Sequence, residues 1–152
     1  MQPGRRMNLC DSNVWLSLAL SAHVHHRAAR GWLDTTTEPR SVLFCRATQQ
    51  GLLRLLTTAA VLAPYGNPPL TNREAWQIYQ TFAADDRLGL VDQEPAGIEK
   101  AWIELAATAT ASPKLWMDAY LAAFARSAGY TLVTTDAAFT QFADLDLRLL
   151  TT

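Results

Sequence analysis

Three aspartates stand where a carboxylate could do chemistry. Asp11 closes the apolar run of Leu9-Cys10-Asp11-Ser12-Asn13, and Asp136 closes that of Leu132-Val133-Thr134-Thr135-Asp136. Asp118 lies inside a helical stretch, Lys114-Leu115-Trp116-Met117-Asp118-Ala119-Tyr120-Leu121-Ala122. Its neighbours at i−3, i+3, i+4 and i+7 are Leu115, Leu121, Ala122 and Ala125, so the carboxylate falls on an apolar stripe. A charge on such a stripe is costly unless it is paired or bound to a cation. The plain account of Asp11 and Asp136 is that each caps the helix it precedes. For Asp118 it is an ion pair with a nearby Arg or a contact with a helix N-terminus. The sharper account is that the three acids meet and share a metal. A carboxylate cluster without Cys or His favours Mg²⁺ or Mn²⁺ over zinc. Such an ion can activate water and stabilise the charge of a phosphodiester transition state.

The elements that would carry these acids alternate between strand and helix. Met7–Cys10 is the first candidate strand, followed by a helix bearing Val14, Trp15, Leu18 and Leu20 and a second helix over His23–Leu33. Ser41–Cys45 is β-prone, and Arg46–Thr58 has the helical stripe Leu52, Leu53, Leu55 and Leu56. Pro64–Pro69 is a loop ending near Thr71, a candidate N-cap for a helix from Asn72 to about Ala84. Leu90–Asp92 suggests a short strand, Pro95 a helix start, and Ser112-Pro113 the cap of a helix that Gly129 ends. Tyr130–Thr135 and Leu145–Leu150 are the last strands, with a helical stretch over Asp136–Phe142 between them. The alternation predicts an α/β fold of three layers, α/β/α, around a mainly parallel sheet of about five short strands. In such sheets ligands bind at the carboxyl ends of the strands, where Asp11 and Asp136 fall.

Composition agrees with one well-packed domain over residues 1–152. Hydrophobic residues are 49% and charged residues 18% of the 152, which argues against disorder. No apolar run approaches bilayer-spanning length, and none of signal-peptide length precedes Asp11, so a soluble, cytoplasmic protein with no membrane contact is expected. Residues 1–6 are expected to be a loose extension, and Met7 is an alternative start. Cys10 and Cys45 both sit in apolar runs and suggest buried thiols in a reducing compartment. Net charge is −1, but residues 1–76 carry eight Arg against four acids and residues 77–152 carry five cations against ten. Arg suits bidentate phosphate contacts, although Arg richness also follows genome composition.

Taken in order, these motifs resemble the PIN-domain ribonucleases, and most closely the VapC toxins of bacterial type II toxin–antitoxin pairs. Asn8–Leu16 is similar to the family's opening strand with its D-x-N signature, His25–Leu33 to the following helix, and Leu52–Thr57 to the helix after strand two. Trp116–Ala122 and Thr134–Phe139 resemble the late acidic motifs. The resemblance implies a Mg²⁺-dependent (or Mn²⁺-dependent) endoribonuclease that inhibits growth and is silenced by a small VapB-type antitoxin. It also implies a homodimer. Asp11, Asp118 and Asp136 would be the catalytic metal ligands, with Asn13 and Thr135 in support. Two departures matter. Where the family commonly has a Glu, this chain has Ala47-Thr48-Gln49-Gln50-Gly51, which leaves Glu38 as a possible replacement, and Ala138 stands where many relatives carry another acid. A catalytically weakened PIN-fold interaction protein is therefore the alternative. Arg46, Gln49 and Gln50 are candidate RNA contacts or simply a polar helix face. His23, His25 and His26 suggest a solvated helix start, and Trp76, Tyr79 and Phe82 a face buried against the core or a partner.

Overall fold

The computed structural model describes residues 6–152; residues 1–5 of the expected extension lie outside the described residues. Five strands form one sheet: β1 (Asn8–Cys10), β2 (Val42–Cys45), β3 (Leu88–Val91), β4 (Thr131–Thr134) and β5 (Leu147–Leu149). Their order is β3-β2-β1-β4-β5, and every pairing is parallel. Alternate residues of each strand face opposite sides. Cys10, Val42, Phe44 and Val133 pack into one core, while Leu9, Leu43, Cys45 and Leu132 pack into the other.

The first core is covered by α1 (Ser12–Ala19), α2 (His26–Leu33), α3 (Arg46–Leu56) and α5 (Asn72–Ala83), the second by α6 (Ile98–Ala106) and α7 (Pro113–Ala128). This is the expected three-layer arrangement. Trp15 of α1 stacks on Phe44 of β2 with ring centroids 3.7 Å apart, joining helix to sheet beneath the carboxyl edge. Gly129, at φ 74°, ends α7 in the left-handed region, as expected of a C-terminal glycine. The Thr71 cap is also present: its hydroxyl accepts from Glu74 N–H while Glu74 Oε1 accepts from Thr71 N–H.

The structure departs from the local expectations at several points. The second helix starts at His26, not His23, because His23 to His26 form a turn in which His23 Nδ1 accepts the His25 N–H. The helix expected from Pro95 starts at Ile98, since Gly97 at φ 79° interrupts the chain before it. Ser112 does not cap α7; its hydroxyl bonds that of Thr110 instead. Between α3 and α5 lie a further short helix, α4 (Ala59–Leu62), and a 3₁₀ turn over Ala63–Tyr65. The stretch after Asp136 is likewise 3₁₀, over Ala137–Gln141.

Candidate active site

β1 and β4 run side by side, with Cys10 opposite Val133. Asp11 and Asp136 therefore leave the sheet at one edge, on either side of the point where the strand order reverses. Asp11 is 8% exposed, and its Oδ2 accepts a 2.9 Å hydrogen bond from Thr134 Oγ1. The same hydroxyl accepts from the Asp136 N–H at 3.0 Å, so Thr134 ties one acid to the backbone of the other. Sequence reasoning had grouped Thr135 with the site, but the hydroxyl that reaches Asp11 belongs to Thr134, whose side chain is fully buried.

Asp136 does cap the 3₁₀ turn beyond it, accepting from the Ala138 N–H at 2.9 Å. Asp11 does not cap α1 with its side chain. Burial pushes the Asp11 carboxyl up to about 6, the Thr134 bond pulls it down, and the charge of Asp118 raises it further. The dominant cause is desolvation, to which the Asp118 charge adds.

Asp118 projects from the buried stripe of α7 with a side chain 12% exposed. Its companion is neither an Arg nor a helix N-terminus. Lys114, one turn earlier on α7, sets its Nζ 3.4 Å from Asp118 Oδ2 and 2.5 Å from Asp136 Oδ2. The two carboxylate oxygens are thus no farther apart than those two distances laid end to end. Burial raises the Asp118 carboxyl against the opposing pull of Lys114. The Lys114 bond instead lowers Asp136 and raises Lys114 itself. Lys114 and Thr134 are the residues that sequence reasoning missed. Lys114 stands at i−4 from Asp118, a position that meets it on any helix.

A groove of about 390 Å³ opens beside Asp11, lined by Asn13, Arg54, Thr58 and Met117 among others. Asn13 is exposed there. Arg46, Gln49 and Gln50 share α3 with Arg54 but do not line the groove; Arg46 Nη1 donates to the buried Gln49 Oε1 at 2.6 Å. Gly51 sets how close α1 and α3 come. A Cβ there would lie 2.1 Å from Ser12 Oγ, directly beside Asp11. Gly51→Ala is expected to displace Ser12 and cost about 1–3 kcal/mol, read as a lower urea midpoint; an unchanged midpoint would contradict this packing.

Glu38 cannot replace the missing acid. It precedes β2 and lines a pocket with Asn8 and Thr131, at the amino edge of the parallel sheet, opposite Asp11. Glu94, after β3, does reach α7: Tyr120 O–H donates to its Oε2 at 2.5 Å.

Residues 9–145 match the PIN domain family. The chain belongs to that family. A curated relative, Ribonuclease VapC41 of Mycobacterium tuberculosis (strain H37Rv), is 60% identical over 144 residues, covering 95% of this chain and 99% of the relative. Among solved structures, Mycobacterium tuberculosis VapC20, described as a sarcin-ricin loop cleaving toxin, superposes with a TM-score of 0.65 at 16% identity, covering 93% of this chain and 98% of that one. VapBC2 from Rickettsia felis, bound to a DNA fragment from their promoter, also gives 0.65, at 14% identity and covering 95% and 99%.

The chemistry of this PIN domain's acids fits a hard divalent ion, because Asp11, Asp118 and Asp136 offer oxygen alone. As the side chains are placed, no three His, Cys, Asp or Glu residues among those described are close enough to hold one ion. Two of the acids, Asp118 and Asp136, are instead joined by the Lys114 ammonium between them. Among the described residues, no helix is long and apolar enough to cross a membrane.

Proposed function

We propose that this chain is a Mg²⁺-dependent (or Mn²⁺-dependent) endoribonuclease, one PIN domain in extent, that acts as the toxin of a VapBC-type pair and inhibits growth by cutting RNA. The observation that carries the reading is the meeting of Asp118 and Asp136 on one cation, with Asp11 leaving the neighbouring strand at the same carboxyl edge of the sheet. The relative named as a ribonuclease supports the same chemistry.

Asp11, Asp118 and Asp136 would hold the ion, which supplies activation of water and neutralisation of charge at the phosphate. Thr134 keeps Asp11 in one orientation by donating to Oδ2. Asn13 and Arg54, along the groove, are suited to bond sugar and phosphate of a bound strand, and Arg46 and Gln50 extend a polar face beyond it. A second groove, between α3 and α5, is lined by Leu53, Ala75 and Trp76, with Trp76 45% exposed. That apolar surface suits a segment of a small antitoxin, and the resemblance to VapC toxins supports a homodimer.

The test is cleavage of structured RNA by the purified chain. Mg²⁺ or Mn²⁺ is expected to support cleavage, excess EDTA to abolish it, and zinc to substitute poorly. Cleavage persisting in EDTA would overturn the metal mechanism. Absence of cleavage with every ion, together with tight antitoxin binding, would favour the catalytically weakened interaction protein instead.

A further inference from the structure

Lys114 occupies the oxygens through which the acids would take up an ion. Its Nζ contacts the Oδ2 atoms of Asp118 and Asp136, the lone pairs that an ion bridging those carboxylates would use. Ligand distances for hard cations are about 2.0–2.6 Å, so an ion on these oxygens would stand close beside the ammonium, and the two positive charges would repel. The Lys114 side chain is 66% exposed, which leaves open solvent for it to swing into. Lysine suits this role, being a compact charge on a flexible stem with no bidentate grip to lose. The acids facing it come from two elements, Asp118 on its own helix and Asp136 from the β4 exit.

We propose that Lys114 is an intramolecular stand-in for the metal, so that an ion binds this PIN domain by displacing the Lys114 ammonium. The inference rests on the proposed metal site. It assigns Lys114 a regulatory part: the side chain neutralises two acids in the metal-free protein and sets the ion concentration at which the site loads. Because the contact spans α7 and the β4 exit, it also ties the two together until the ion replaces it.

The experiment is calorimetric titration of the full chain with Mn²⁺ at fixed ionic strength, comparing wild type, Lys114→Gln, Lys114→Arg and Asp118→Asn. Lys114→Gln is expected to bind Mn²⁺ about tenfold more tightly or better, given the strength of a nearby unit charge. Lys114→Arg is expected to bind no more tightly than wild type. Asp118→Asn is expected to lose binding. Equal or weaker binding by Lys114→Gln, with Asp118→Asn still defective, overturns the displacement and leaves the metal site standing. Mn²⁺ binding absent from all four, or indifferent to Asp118→Asn, overturns both readings. Thermal melts give a second measure. Mn²⁺ should raise the Tm of Lys114→Gln more than that of wild type, because its acids start without a counter-ion; equal shifts count against the proposal.

Discussion

Asp118→Asn is expected to reduce RNA cleavage by about a thousandfold, near 4 kcal/mol of transition-state stabilisation, while the metal-free protein remains at least as stable as wild type. The stability half derives from the charges around the site. Lys114 is 66% exposed and keeps Asp136 as a partner at 2.5 Å, so the change strands no buried cation. Burial already disfavours the charged form of Asp118, and a carboxamide of the same shape removes that penalty. A purely structural Asp118 would differ in two respects: cleavage and stabilisation by added Mg²⁺ would both survive the change. Urea melts in EDTA, melts with added Mg²⁺ and a cleavage assay separate the two. The metal role predicts unchanged metal-free stability, no stabilisation by Mg²⁺ and loss of cleavage. A well-folded variant that cuts RNA at the wild-type rate would remove Asp118 from the mechanism.

The strand exits were legible because parallel α/β topology puts them on one edge, and the apolar runs ending in Asp11 and Asp136 mark those exits. The burial of Asp118 was legible from helical periodicity alone. Its companion was not recovered, because a stripe drawn only through apolar neighbours passes over the lysine at i−4 whose stem reaches the same oxygens. Thr134 and Thr135 are equivalent in sequence; only the strand's alternation and the bend after Thr134 decide which hydroxyl turns to Asp11. α4 is four residues long, too short to display a period, and the proline-rich loop beside it masks its end. Pro95 misled because a proline marks helix starts in general, whereas here the left-handed Gly97 resets the chain two residues later. Glu38 could be excluded only once strand direction was known, since it flanks β2 on the side away from Asp11.

Asp11→Asn is expected to stabilise the metal-free protein at neutral pH by about 2–3 kcal/mol, from a shift of about two pKa units. Burial lifts the Asp11 carboxyl from an ordinary 3.8 to about 6, so the folded chain holds this proton more tightly than the unfolded chain. Stability of the wild type therefore falls as pH rises from about 4 to about 6, and above that range the full penalty of a buried carboxylate persists. Asparagine mimics the protonated side chain, and its carboxamide oxygen can still accept from Thr134 Oγ1. Wild type and variant should consequently have matching stability near pH 4 and diverge towards pH 7.5, with the variant the more stable. The check is urea denaturation of both proteins in EDTA at several pH values. Added Mg²⁺ should reverse the order at pH 7.5, because only wild type offers a carboxylate to the ion. A gain independent of pH, or none at neutral pH, would mean that Asp11 is not held as a strained, buried anion waiting for a cation.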